Sequence, residues 1–152
     1  MHILAMDDSI LIHKIISLIL AQSTVTALYA KNIKEAVAMI SKPDNMFDAF
    51  FFDLECPGFA DQPHEEHAGL QLSYLLREPK RLPGLLEVAN SIAHAKNVPI
   101  CILSAASELA LKPCYELATR TPNMRVLEKS KTINLDARER FLAILKEIQN
   151  TP

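Results

Sequence analysis

Short apolar runs alternate along this chain with stretches whose apolar residues recur at helical spacing. Residues 2–6 are the first apolar run. Beyond Ser9, a residue type suited to cap a helix, Ile12, Ile15, Ile16 and Ile19 fall at the i, i+3, i+4, i+7 positions that line one helix face. Residues 25–30 are β-rich and predict a second strand. Ile33, Ala36, Val37 and Ile40 form a second helical stripe that stops near Pro43. Residues 49–52 are a wholly apolar strand ending at Asp53, followed by the turn signal Cys56-Pro57-Gly58.

The pattern then loosens. Residues 59–67 are polar and turn-prone and predict a loop. Residues 70–77 predict a helix, broken by Pro79 and Pro83, and 85–95 a further helix with Leu85, Val88, Ala89 and Ile92 on one face. A fourth strand spans 99–103 and ends at Ser104. Residues 107–120 favour a helix whose start Pro113 is able to delay to its second half. A fifth strand spans 125–128 and ends at Lys129, and Asn134 is placed to cap a last helix with Phe141, Leu142, Leu145 and Ile148 inward. Strands alternating with helices predict an α/β domain with a parallel sheet. No repeat or linker interrupts the 152 residues, so one domain covering 1–152 is expected.

Composition narrows the class. Hydrophobic residues make up 49% and charged residues 22%, as in ordinary globular domains. A net charge of -2 argues against nucleic acid as a partner, and Arg77/Lys80/Arg81 and Arg125/Lys129/Lys131 read mostly as solvated surface. The longest uncharged apolar stretch, 98–107, is far short of the ~18 residues a membrane span needs. Acids arrive early in the N-terminal segment, unlike a secretory signal, and Cys56, Cys101 and Cys114 form no CxxC pair, so reduced thiols in a cytoplasm are expected. Three glycines cannot supply a Walker loop or a GxGxxG fingerprint.

The chemistry lies in the strand ends. Asp7 and Asp8 follow the first strand, Asp53 the third, Ser104 the fourth and Lys129 the fifth. In open α/β sheets the ligand crevice lies beyond the carboxyl ends of the strands, where strand order reverses. With the order 2-1-3-4-5, three carboxylates, a hydroxyl and an ammonium converge there. Carboxylates that close need compensation, and a hard divalent cation such as Mg²⁺ supplies it.

These segments resemble those of CheY-like receiver domains of two-component response regulators. Ile3-Leu4-Ala5-Met6-Asp7-Asp8-Ser9 is similar to the family's opening, and Phe51-Phe52-Asp53-Leu54-Glu55-Cys56-Pro57-Gly58 to its phosphoacceptor segment. Ile102-Leu103-Ser104-Ala105-Ala106 and Val126-Leu127-Glu128-Lys129 resemble its hydroxyl and lysine segments. The resemblance implies a doubly wound five-stranded parallel sheet. It also implies that Asp53 accepts a phosphoryl group from a histidine on a sensor kinase or phosphotransfer protein. Asp8, Asp53 and the Glu55 backbone carbonyl would hold Mg²⁺, with Asp7 acting through water. Lys129, the Ser104 hydroxyl and the Ala105 N–H would bind the phosphoryl oxygens. Output would be protein contact with a downstream effector, through the helix after the fourth strand, the fifth strand and the last helix. No output domain is expected after that helix.

Four departures qualify the resemblance. The segment between Asp53 and Ser104 is long, with a loop insertion at about 59–68 and an extra helical segment at about 79–96. Ser130 stands where the family has a proline after a cis peptide, so a trans bond and a different lysine loop are expected. Val126 replaces the family's switching aromatic, and Glu55 adds a carboxylate beside the acceptor. Two alternatives follow: a receiver that has lost switching and acts as a constitutive interaction module, and a haloacid-dehalogenase-like phosphatase with Asp53-Leu54-Glu55 as its DxD. The second lacks the required second Asp, and its acidic pair would have to follow the lysine. Other features have plainer readings. His64-Glu65-Glu66-His67 is not HExxH and reads as solvated insertion, His13 as a surface histidine, and Cys56 as packing.

Overall fold

The computed structural model describes residues 1–59, 67–106, 108–133 and 138–150. Five strands, β1 (His2–Met6), β2 (Thr26–Ala30), β3 (Ala49–Asp53), β4 (Ile100–Ser104) and β5 (Met124–Glu128), form one parallel sheet in the order β2-β1-β3-β4-β5. Around it lie α1 (Ile10–Leu20), α2 (Ile33–Ile40), α3 (Ala68–Arg77), α4 (Leu86–Ser91), α5 (Glu108–Arg120), α6 (Lys129–Thr132) and α7 (Arg138–Gln149).

The sheet has two buried faces because alternate residues of a strand point to opposite sides. In β3 the rings of Phe50 and Phe52 join Leu4, Met6, Ile100 and Ile102 on one face, under α2, α3, α4 and α5. Phe51 joins Ile3, Ala5, Cys101 and Leu103 on the other, under α1 and α7, and its ring lies 5.0 Å from that of Phe141. An uninterrupted Ala-Phe-Phe-Phe run is what a central strand covered on both sides requires. At the start of α2, Asn32 accepts a 2.9 Å hydrogen bond from the Glu35 N–H, and the Glu35 carboxylate accepts from the Lys31 N–H at 2.8 Å. These reciprocal bonds set the entry of that helix.

Several elements depart from expectation. The segment 85–95 is not one helix. Turns of 3-10 helix at Pro79–Arg81, Pro83–Leu85 and Ala93–Ala95 flank the short α4. The inward residues of this segment, Ala89, Ile92 and Ala95, repeat every three positions, the period at which side chains eclipse in 3-10 turns. Pro113 does not delay α5, which runs through it. The acceptor left over is the carbonyl of Leu109, an 82% exposed residue in the first turn, and burial of Leu111, Cys114 and Leu117 holds both halves. Ser9 occupies the N-cap position of α1 without a side-chain cap bond. Ile144 is buried in α7 where Leu142 was expected, Leu142 being partly buried.

Arg77 is not solvated surface: its guanidinium donates to the carbonyls of Lys96 and Val98, tying the end of α3 to the segment before β4. Burial lowers its pKa to about 10. His13 is half-buried against Tyr29, ring centroids 5.0 Å apart, because α1 lies across the β2 edge. Most of the expected loop 59–67, Ser107 and the Asn134 cap lie outside the described residues.

Candidate functional site

Parallel strands bring all their carboxyl ends to one rim, and register decides which end residues are neighbours. Met6 pairs with Phe52, Asp53 with Leu103 and Ser104 with Glu128. Asp7 therefore emerges beside Asp53, with Lys129 one residue beyond β5. The order reverses between β1 and β3, so the rim there is the natural crevice of this fold.

Lys129 draws the acids together. Its Nζ lies 2.8 Å from Asp7 Oδ2 and 3.1 Å from Asp53 Oδ1. Asp7 Oδ1 accepts the Ser9 N–H at 2.9 Å, which turns the chain into α1. Asp53 Oδ1 accepts the Glu55 N–H at 3.3 Å, and the buried Cys56 thiol lies 3.4 Å from Asp53 Oδ2 as its donor. Asp7 and Asp53 are each 1% exposed, whereas Asp8 is open to solvent.

Two carboxylates sharing one ammonium explain the electrostatics. Burial, then the charge of Asp7, raises the pKa of Asp53, with Lys129 working in the opposite direction. Burial opposes the Lys129 ammonium, but the Asp7 hydrogen bond and the charges of Asp53 and Asp7 outweigh it and hold its pKa above that of an ordinary lysine. Burial and the Asp53 charge push the Cys56 thiol far up, so it stays protonated and donates.

On the β4 side, the Ser104 hydroxyl accepts the Ala106 N–H at 2.8 Å, and the Ala105 N–H donates to Glu55 Oε2 at 3.1 Å. Beneath the rim, α3 presses against β3. A Cβ on Gly69 would lie 2.8 Å from the Asp53 carbonyl oxygen, and one on Gly58 would meet the Gln71 amide at 2.6 Å. Gln71, fully buried, accepts from the Phe59 N–H at 2.6 Å and so holds the loop that leaves the site.

The structure thus brings Asp7, Asp53 and Lys129 into contact and places Asp8, Ser104, Ala105 and Glu55 on the same rim. The peptide after Lys129 is trans, no cis bond occurring among the described residues, and the chain coils at once into α6. Val126 is partly buried against the core. Sequence reasoning missed the bonds from Cys56 to Asp53 and from Ala105 to Glu55, and the roles of Gln71 and Gly69. Only Gly69 left a signal, as one of three glycines at the start of a predicted helix.

The donor set suits a hard divalent cation. Ligand atoms of Asp8, Asp53 and Cys56 lie within 4.8 Å of one another. Asp7, Asp8 and Asp53 against Lys129 leave two negative charges, which a divalent ion balances. Asp8 is the carboxylate open to solvent, Asp53 beside it shares its oxygens with Lys129 and Cys56, and the Cys56 sulfur is the donor a hard ion does not use.

No protein-family model matches the sequence, and no curated protein matches it at a significant level. Solved structures do. The chemotaxis response regulator CheY4 of Vibrio cholerae is 20% identical over 97% of each chain, with a TM-score of 0.64. The Mn²⁺-bound response regulator Rcp1 is 17% identical over 99% of this chain and 96% of its own, TM-score 0.64. A CheY-like receiver domain protein of Methanospirillum hungatei is 16% identical over 97% and 93%, TM-score 0.60. No helix among the described residues is long and apolar enough to cross a membrane. With its strand order, its doubly covered sheet and these neighbours, the chain has the CheY-like receiver fold of response regulators.

Proposed function

We propose that this protein is a signalling phosphoacceptor that takes a phosphoryl group on Asp53 from a phosphohistidine of a sensor kinase or histidine phosphotransfer protein. The observation that carries the reading is the Lys129 ammonium held between Asp7 and Asp53 at the sheet's switch point, with Asp8 beside them. In this reading the Asp53 carboxylate, at the end of β3 and in contact with Lys129, is the nucleophile.

In the transfer a bond forms between an Asp53 carboxylate oxygen and phosphorus while the donor's P–N bond breaks, and the departing imidazole keeps its electron pair. Such transfers need positioning and charge neutralisation more than covalent help. Asp8, Asp53 and the Glu55 backbone carbonyl are the residues to hold Mg²⁺, with Asp7 behind them through water. The ion, when bound, neutralises charge on the phosphoryl oxygens. Lys129 already sits 3.1 Å from Asp53 and passes to a phosphoryl oxygen, while Asp7 keeps its other side fixed. The Ser104 hydroxyl turns from the Ala106 N–H toward the new group, and the Ala105 N–H adds a second donor. New charge-assisted bonds there reorder the segment after β4.

The reading places the protein in the cytoplasm with its kinase. It sends the signal to an effector protein through the face of α5, β5 and α7, where Leu109 and Tyr115 are exposed. The constitutive-module reading draws on Val126 and on the occupied Ala105 N–H. One experiment separates the two: incubation with acetyl phosphate and Mg²⁺, followed by intact-mass measurement. A single phosphoryl increment that Asp53→Asn abolishes is expected. No increment, or one that survives in Asp53→Asn, rejects the proposal.

A further inference from the structure

We infer that the Glu55 carboxylate is an internal stand-in for the phosphoryl group, seated on the Ala105 N–H until phosphorylation of Asp53 displaces it. The inference rests on the phosphoacceptor reading and names a regulator of that same site. Glu55 and Ala105 are 50 positions apart, and their 3.1 Å bond joins the loop after β3 to the loop after β4 across the mouth of the crevice.

Register puts this donor in the right place. Asp53 pairs with Leu103, so the backbone two residues farther on projects just beyond the Asp53 carboxylate. An anionic oxygen is therefore already bound where a phosphoryl oxygen on Asp53 must be received. The other donors near Asp53 are also committed, Lys129 to two carboxylates and the Cys56 thiol to Oδ2. Entry of a phosphoryl group requires exchange, and Glu55 is the partner free to yield. Its side chain is exposed, so it swings into water, whereas Asp7 and Asp53 are buried. Repulsion between its charge and the incoming dianion acts in the same direction. Two consequences follow. The loop after β4 is drawn toward β3 before any phosphorylation, and the carboxylate competes with the phosphoryl donor for Ala105.

The test uses the full chain as wild type, Glu55→Gln and Glu55→Ala, the latter two leaving the backbone carbonyl in place. In the unmodified proteins, nitrogen-15 NMR follows the Ala105 amide. Its resonance is expected to move in Glu55→Ala, and its exchange with solvent to speed up about threefold to tenfold, with Glu55→Gln between. With acetyl phosphate and Mg²⁺, the initial rate of phosphorylation is expected to rise by a similar factor. Once both are phosphorylated, the Ala105 resonance of wild type should match that of Glu55→Ala, since the phosphoryl group then occupies the amide in each. An Ala105 amide that is the same in all three unmodified proteins overturns the stand-in, as does an unchanged rate, even where Asp53 is phosphorylated. Absence of a phosphoryl increment from every form rejects the phosphoacceptor reading and the exchange together, whatever the Ala105 amide shows.

Discussion

Gly69 lies directly beneath Asp53: a Cβ on it would sit 2.8 Å from the Asp53 carbonyl oxygen. The first turn of α3 thereby supports the end of β3 and fixes how far Asp53 rises from the rim. A backbone carbonyl cannot rotate aside as a side chain does. In Gly69→Ala the steric cost, about 1–3 kcal/mol for overpacking, outweighs a helix-propensity gain of up to about 1 kcal/mol. A net loss of about 1–2 kcal/mol in urea unfolding is expected, with slower phosphorylation by acetyl phosphate as β3 shifts. A variant as stable as wild type would mean that α3 does not buttress the site.

Lys129→Met removes the ammonium that Asp7 and Asp53 share. Calorimetric titration is expected to show tighter Mg²⁺ binding, because the notch becomes more negative. Phosphorylation should nevertheless fall by about a hundredfold, the scale of losing one charge-stabilising donor. Weaker Mg²⁺ binding would show that Lys129 organises the acids more than it opposes the ion.

Glu78 joins Arg81 at 2.6 Å and Arg120 at 3.2 Å, linking α3 to α5 far along the chain. The hydrogen bond from Arg120, followed by lesser contributions that include Arg81, lowers its pKa. A carboxylate whose pKa is lower in the folded state stabilises above its unfolded value and loses that contribution as pH falls through the folded one. Glu78→Gln should therefore show a small loss of urea midpoint at pH 7 that fades as pH falls below the ordinary value of 4.5 and vanishes below the lowered folded-state value. High salt should shrink it too, since the pair is partly exposed. A loss that persists in acid would assign the effect to packing.

Phe141 holds α7 to the sheet through Phe51. Phe141→Ala is expected to cost about 3–5 kcal/mol, a large part of the ~5–15 kcal/mol that stabilises a domain of this size. Denaturant unfolding measures it, and a loss below about 1 kcal/mol would show that α7 is held elsewhere.

The order of strands and helices was legible because it is written locally, in repeats of two and of three to four residues. So were Asp7, Asp8, Asp53, Ser104 and Lys129, each marked by its place just beyond an apolar run. What the repeats do not encode is contact between loops. Phe50, Phe51 and Phe52 announce a buried strand and alternation puts Phe51 on the other face from its neighbours, but only packing brings Phe141 to it. Pro113 reads locally as a boundary, yet burial on both sides carries α5 past it. His13 reads as surface until Tyr29 meets it.

The amino-acid pattern alone determined a five-stranded α/β domain with acids and a lysine at its strand ends. Tertiary structure decided which of those groups touch: Lys129 between Asp7 and Asp53, Cys56 on Asp53, Glu55 on Ala105. The physical reason is that a strand's identity depends on its own residues, whereas the meeting of two loops depends on the register between strands about fifty residues apart.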